Sequence, residues 1–478
     1  MKRFDLRGFF ASRRVRAAGA GASLTALVLL LFYLVNIILS GAAARMGWYI
    51  APESGYDLSL SGGTDRVFAD LPADTVIDIV FCDLEENVKA SAQLSDIRET
   101  AVRLAERHAG HFRVSYVNLW LEPARVEAYR TNRDGSENTI ARTTVIVARG
   151  SEFLLQEPQA FYTLDSDNYV TAYNGEEAFA AAALWVSADT HPVAYLTENH
   201  GESVSTSLYR ALTYAGYRVR TLDLSSDSTV PDDAGMLVIS SPLYDFQSAA
   251  PGSGYRAELE KIRAYLARGG ALYVSLDPRH TENQPHLCAF LAEYGLTVEA
   301  GVLQAADGAL PGSSGYEILA AVDGGTELPA VGSRRVAMRY AATLSLSGNA
   351  RPLLLSPGDA QRVQADGQAV GAGNLPVAAW TDTDGGGRIL LSAAATLTAT
   401  AQMTGEYYGN KQFIYAMLSR LGARAVPSGI PAVAVNRTAL ENLTAGDCDR
   451  FFLASAVLLP LALLAAGFVV WRYRRNRG

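Results

Sequence analysis

A chain of 478 residues with 49% hydrophobic content is long enough for more than one domain and can bury an ample core. Acids outnumber bases, 49 to 41, for a formal net charge of −8; this argues against a nucleic-acid surface, which needs a basic stripe to displace counterions. Three cysteines, Cys82, Cys288 and Cys448, make neither a disulfide framework nor a metal-ligand spacing.

Two apolar segments, 17–39 and 451–471, bracket the rest. A helix rises about 1.5 Å per residue and the hydrocarbon layer is about 30 Å thick, so each segment is long enough to predict a transmembrane helix. The tail 1–16 carries Lys2, Arg3, Arg7, Arg13, Arg14 and Arg16 against one acid, and the tail 472–478 carries four arginines and no acid. Excess positive charge predicts that both tails are cytoplasmic and that the acidic middle faces outward, in the cell membrane. A cleaved signal peptide ending near Ala42-Ala43-Ala44 is the rival reading of the first segment.

Between the segments, 50–172 reads as a first α/β domain. Val76 to Phe81 is a buried strand, and Leu94, Ile97, Ala101 and Leu104 form a helical stripe. Phe112 to Leu119 is a second strand, and Thr143 to Ala148 with Phe153 to Leu155 is a hairpin. The order β-α-β-hairpin suits a small thioredoxin-like domain without a Cys-x-x-Cys pair. A connecting helix over 173–190 starts at Asn174, with Glu177 placed as in a capping box.

The region 191–425 reads as a second α/β domain. Strands Pro192 to Thr197, Arg218 to Leu222, Met236 to Ser240 and Ala271 to Leu276 alternate with helical stripes on Leu208 and Leu212, on Leu259, Ile262 and Leu266, and on Leu287, Phe290 and Leu291. This alternation predicts a parallel sheet covered on both faces, with ligands outside the carboxyl ends of the strands. A Gly-rich stretch, 301–376, reads as a β-rich insertion. Val377 to Thr381 and Arg388 to Ser392 read as a hairpin or two neighbouring strands, and Phe413 to Leu421 as a last helix. Residues 426–450 are a juxtamembrane linker.

These residues carry a resemblance. Tyr56-Asp57-Leu58-Ser59-Leu60-Ser61-Gly62-Gly63-Thr64, the strand Val76 to Phe81, Leu196 to Glu202, Val238 to Pro242, Leu266 to Pro278 and Gly409-Asn410-Lys411-Gln412-Phe413 resemble, in order and spacing, motifs of the GldG-like auxiliary proteins of ABC-2-type transporters. Asn199 replaces the usual Gly of the family's Gly-His-Gly-Glu signature, and Ala393-Ala394-Ala395 stands where the family often has Gly-Asp. The resemblance implies a GIFT-type, amidotransferase-like second domain. It also implies a membrane-anchored, extracytoplasmic accessory subunit that binds substrate or braces the permease. The partners implied are an ABC-2-type permease, a separate ATPase and membrane lipid. The chain has no Gly-x-x-x-x-Gly-Lys-Ser/Thr loop, so energy comes from another subunit.

The candidate site is the loop Asn199, His200, Gly201 and Glu202, with Ser241 and Asp277 at the ends of later strands. Backbone amides at the following helix start favour an anion, so the loop is read as a ligand or partner contact; the alternative is that His200 and Glu202 cap the helix and brace neighbouring loops. No cofactor is expected. A metal on His200, Glu202, Asp277, His280 and His286 is disfavoured because the two later histidines do not share a helical face. No nucleophile beside a base is found, so the chain is read as a non-enzyme, with a membrane-tethered hydrolase and an envelope scaffold or adhesion protein as the alternatives.

Overall fold

Among the described residues the largest sheet is a nine-stranded mixed one. The structure, a computed structural model, describes residues 57–435 and 445–458 apart from short internal stretches, the longest being 248–256, together with positions 461, 465 and 472. Met1–Asp57 and Leu58–Gly478 separate as two units, and the architecture below belongs to the second.

The helix α1 (Gly63–Phe68) leads into β1 (Ile77–Phe81). Helices α2 (Glu85–Ala90) and α3 (Ser95–Arg107) follow, then β2 (Phe112–Tyr116), β3 (Val145–Arg149) and β4 (Glu152–Gln156). These strands form one sheet in the order β2-β1-β3-β4, with β1 and β2 parallel and the rest antiparallel. The apolar stripe Ile97, Ala101 and Leu104 is buried, as its spacing predicts. Short strands β5 (Tyr162–Leu164) and β6 (Val170–Tyr173) precede α4 (Gly175–Ser187).

Helix α4 packs on β3 and β4, on α1 and α3, and on α5 of the next region. Ala180 to Ala183 let those neighbours approach closely, and all four are buried. The expected capping box does not form. Asn174 donates instead to Thr163 Oγ1 at 2.8 Å, and the Glu177 carboxylate accepts from Lys411 Nζ at 2.9 Å. A buried carboxylate gains more from an ammonium than from a lone backbone N–H.

The second region runs β7 (Val193–Thr197), α5 (Thr206–Tyr214), β8 (Arg218–Leu222), β9 (Ala234–Ser240), α6 (Glu258–Ala267), β10 (Ala271–Ser275) and α7 (Pro285–Glu293). Strands β11 (Leu296–Val298) to β18 (Ala369–Gly371) follow. They include β12 (Val302–Gln304), β13 (Glu317–Val322), β14 (Val336–Arg339), β15 (Leu344–Leu346), β16 (Arg351–Leu355) and β17 (Gln361–Val363). The region closes with β19 (Pro376–Asp382), β20 (Arg388–Ser392) and α8 (Asn410–Arg420), and β21 (Val433–Ala434) pairs back onto β6.

The large sheet has the order β14-β13-β16-β19-β20-β10-β9-β7-β8. Strands β8, β7, β9, β10 and β20 are parallel, and β19, β16, β13 and β14 continue the sheet antiparallel. The sheet is thus mixed where the strand-helix alternation predicts a parallel one. The glycine-rich stretch supplies three of its strands, β13, β14 and β16, whose short apolar runs have no helix between them and pair as antiparallel neighbours.

Both faces of the parallel half are covered. Tyr195, Leu237, Ile239, Leu272 and Val274 pack with Leu259, Ile262 and Leu266 of α6 and with Leu287 and Phe290 of α7. Alternate residues such as Leu196 and Val238 point to the opposite face and are buried there. Each fully buried Leu, Ile or Val contributes about 1.5–3 kcal/mol, so these strands fix the sheet and the loops at its edge.

The membrane expectations are corrected. Segment 17–39, with the basic tail before it, lies outside the described residues. At the other end, α9 (Ala445–Phe452) is followed by a π-helical turn, Leu453–Leu458. Among the described residues no helix is long and apolar enough to cross a membrane. The expected transmembrane helices and membrane localisation therefore find no support among the described residues.

Candidate functional site

Strand order reverses between β7 and β9, the point where a doubly wound sheet leaves a crevice at its carboxyl edge. Here the crevice is filled by the protein's own loops. Ser203 N–H donates to the Ser240 carbonyl at 2.9 Å, and Ser240 Oγ donates to the Ser203 carbonyl at 2.7 Å. The amides of Leu243 and Tyr244 both donate to the His200 carbonyl, at 2.8 and 2.9 Å.

His200 sits beneath this lattice at 5% exposure. Its Nδ1 lies 3.2 Å from Glu202 Oε1 and its Nε2 lies 3.1 Å from the Glu258 carboxylate. Its backbone N–H donates to Glu202 Oε2 at 2.8 Å, and its ring stacks on Phe246 at 3.9 Å. Burial opposes the charge on this ring, but the two carboxylates outweigh it and raise the His200 pKa to about 9. Burial likewise opposes ionisation of Glu202, while hydrogen bonds led by that from His200 hold its carboxyl below the usual range. The ring is therefore an imidazolium with both N–H groups committed. Glu258 is buried too and accepts from the Gln247 amide at 2.7 Å.

The backbone around His200 is shaped for the fit. Asn199 has φ +80°, Gly201 φ +72° and Ser241 φ +48°. A Cβ on Gly201 would stand 3.0 Å from the Leu243 side chain, so both its conformation and its neighbour require glycine.

An open cleft of about 740 Å³ lies beside the loop, over the carboxyl ends of β7 and β8. Thr197, Glu198, Asn199, Thr206, Tyr209 and Thr221 are among its walls, and Tyr209 is half exposed. The start of α5 borders the cleft, but Ser205 Oγ already accepts from Leu208 N–H at 3.0 Å. With Glu198 and Glu202 in the same walls, this is not an anion cradle; most of the lining surface is apolar, with Leu196, Val204 and Tyr209 among its residues.

The six predicted residues divide into three groups. Asn199, His200, Gly201 and Glu202 form one loop at the cleft. Ser241 turns its Oγ to Ser275 Oγ at 3.3 Å, so it faces another hydroxyl while the His200 ring is held by carboxylates. Asp277 is held by Arg279, through Nε at 2.9 Å and Nη2 at 2.6 Å. Burial works against ionisation of Asp277, but Arg279 keeps its carboxyl below the usual range. His280 stands 4.0 Å from Asp277, and His286 bonds Asp245 at 2.7 Å. Among the described residues no cluster of three or more His, Cys, Asp or Glu is placed to hold a metal ion.

Glu258, Phe246 and Tyr209 belong to the site and are not singled out by the sequence. Glu258 is an acid in the first turn of a helix, a common position that signals nothing about a histidine 58 residues earlier. The site so defined is an acid-clamped histidine loop beside an open cleft on a mixed α/β sheet.

No family model matches the sequence, and no curated protein does. Several solved structures are similar to part of it. The mmIFT52 N-terminal domain is 15% identical, covering 48% of this chain and 96% of that one, at a TM-score of 0.39. PurLQS from Thermotoga maritima is 11% identical, covering 48% and 100%, at a TM-score of 0.27. The exo-beta-1,4-mannosidase Op5Man5 from Opitutaceae bacterium strain TAV5 is 13% identical, covering 72% and 51%, at a TM-score of 0.30. At scores this low the likenesses carry no argument about fold or activity.

Proposed function

We propose that this chain is a non-catalytic binding protein, an accessory subunit that holds a substrate or partner segment in the cleft over β7 and β8. One observation carries the reading. The histidine beside the cleft has both ring nitrogens bound to carboxylates and a pKa raised to about 9, so near neutral pH it has no lone pair with which to act as a base. Its role is to hold the loop that forms the cleft wall.

The sequence resemblance supports a separate ATPase and a permease as partners in a transport system. It also supports a GIFT-type, amidotransferase-like reading of the parallel half of the large sheet. The β2-β1-β3-β4 sheet fits the thioredoxin-like reading of the first region. No membrane span forms part of the proposal.

Affinity isolation of the tagged full-length chain in mild detergent tests it. ATPase and permease subunits are expected to co-isolate, and Tyr209→Ala is expected to reduce their recovery without lowering the melting temperature. Isolation of the chain alone contradicts the partner assignment. Hydrolytic turnover that disappears in a folded Glu258→Gln variant contradicts the non-catalytic reading.

A further inference from the structure

Strand β2 is a terminal strand of the four-stranded sheet, and its hydrogen-bond phase fixes which of its amides are spare. Ile77 N–H donates to the His111 carbonyl at 2.8 Å, and Val117 N–H donates to the Phe81 carbonyl at 2.9 Å. With β1 and β2 parallel and Ile77 opposite Phe112, residues 111, 113, 115 and 117 turn their backbone to β1. Phe112, Val114 and Tyr116 therefore turn N–H and C=O to the outer side. Among the described residues, the bond drawn to that side comes from the exposed Arg125, whose Nη1 donates to the Tyr116 carbonyl at 3.4 Å. This contact brings the loop after β2 to the same edge.

That loop holds apolar side chains in water. Val117 and Val126 are buried in the cluster beneath it, and Leu119 packs against the same cluster. Asn118 Oδ1 accepts from Trp120 N–H at 2.9 Å and from Leu121 N–H at 3.3 Å, and the Asn118 carbonyl accepts from Glu122 N–H at 2.8 Å. The turn so fixed leaves Trp120 85% exposed and Leu121 79%, the two most exposed large apolar side chains among the described residues. Tryptophan is enriched among the side chains that dominate interface energies.

Charge and symmetry select the occupant. Every charged side chain from β2 to Arg130 is paired within its own copy: Arg113 with Asp78 at 3.4 Å, Arg125 with Glu122 at 3.3 Å and Arg130 with Glu127 at 3.3 Å. Such a strip attracts no partner of one sign and does not repel a second copy, although the chain carries a net charge of −8. The spare amides are self-complementary as well. In an antiparallel pair of identical strands, a two-fold axis at Val114 sets Val114 against itself, Phe112 against Tyr116 and Arg113 against Ser115. An axis at Arg113 would oppose two guanidinium groups, which is destabilising. We infer that two copies of this chain pair through β2, antiparallel about Val114, so that their four-stranded sheets become one continuous sheet. The exposed Arg125 side chain swings off the Tyr116 carbonyl, and Trp120 and Leu121 lose their solvent at the ends of the shared edge. The surface lies in the first region, apart from the cleft over β7 and β8, so it stands whatever the cleft binds.

The test uses the full-length chain in a density-matched mild detergent, with mass read by sedimentation equilibrium. A reversible dimer is expected. Val114→Pro removes only an outward N–H, which an edge strand tolerates, and is expected to weaken the dimer about tenfold with the melting temperature unchanged. Trp120→Ala leaves the sheet untouched and is expected to weaken the dimer by a similar factor, so the test stands even if the proline variant fails to fold. Position 115 checks the register: Ser115→Glu, opposite the partner's Arg113, is expected to tighten the dimer about threefold, and Ser115→Arg to weaken it. A monomer at the highest concentration reached, a dimer indifferent to Val114→Pro and Trp120→Ala, or the same shift from both Ser115 variants overturns the inference.

Discussion

His200 and Glu258 are separated by 58 residues in the chain, yet Nε2 of the one lies 3.1 Å from the carboxylate of the other. Both are buried, and Glu202 closes the opposite side of the ring. Removing the imidazolium leaves two buried carboxylates without their counter-charge. His200→Ala is expected to destabilise the fold by about 3–5 kcal/mol, because an uncompensated buried charge costs far more than the pair contributes. Glu258→Gln keeps the hydrogen-bonding shape and is expected to cost less. Comparison of denaturant midpoints for the two variants checks both the direction and the order.

Stability is expected to depend on pH through the same ring. The folded pKa is raised to about 9, against about 6.5 for an unfolded histidine. A group whose pKa is raised on folding contributes in full below the unfolded value and loses that contribution as pH rises through the folded one. The loss between about pH 6.5 and 9 is at most about 3 kcal/mol. Glu202, whose carboxyl is held below the usual range, acts in the opposite direction: its contribution is present above the unfolded carboxylate pKa and is lost on acidification. Melting temperatures recorded from pH 4 to pH 10 are expected to decline at both ends, and His200→Ala is expected to flatten the alkaline decline.

Gly201 is a second point of dependence. With φ +72° and Leu243 3.0 Å from its missing Cβ, the position takes alanine only with backbone strain and displacement of the 241–246 loop. Gly201→Ala is expected to cost about 1–2 kcal/mol, less than loss of the imidazolium. Thermal unfolding of the two variants side by side checks the ranking.

Lys411 and Glu177 join α8 to α4 across 2.9 Å, with Glu177 nearly sealed from solvent. Lys411→Met alone is expected to destabilise by about 3 kcal/mol, since it leaves a buried carboxylate unpaired. Adding Glu177→Gln is expected to restore much of that loss. A double-mutant cycle on unfolding midpoints measures the coupling; simple additivity contradicts the assignment.

Local pattern carries much of the architecture. The runs at Val76 to Phe81 and Ala271 to Leu276 form buried strands in place, as short apolar runs between turns do, and Arg218 to Leu222, with its arginines and threonine, forms an edge strand. The stripes on Leu259, Ile262 and Leu266 and on Phe413 to Leu421 form helices for the corresponding reason at a period of 3.6. Strand partners were not legible. Nothing local in Glu317–Val322 or Arg351–Leu355 shows that these strands extend the main sheet antiparallel, since that choice is made by edges meeting in space. The loop at His200 could be located from its place between a buried strand and a helix start. Its chemistry could not, because the Glu258 carboxylate that fixes the ring's charge arrives from a distant helix.

The most direct test of the account is nitrogen NMR of the His200 ring in the full-length protein across a pH titration, assigned by comparison with His200→Ala. If His200 is a fixed imidazolium holding the cleft wall, both ring nitrogens are protonated at pH 7.5 and titrate together near 9. A neutral ring with one bare nitrogen at pH 7.5, titrating near the ordinary histidine value, contradicts the clamp and restores His200 as a candidate base.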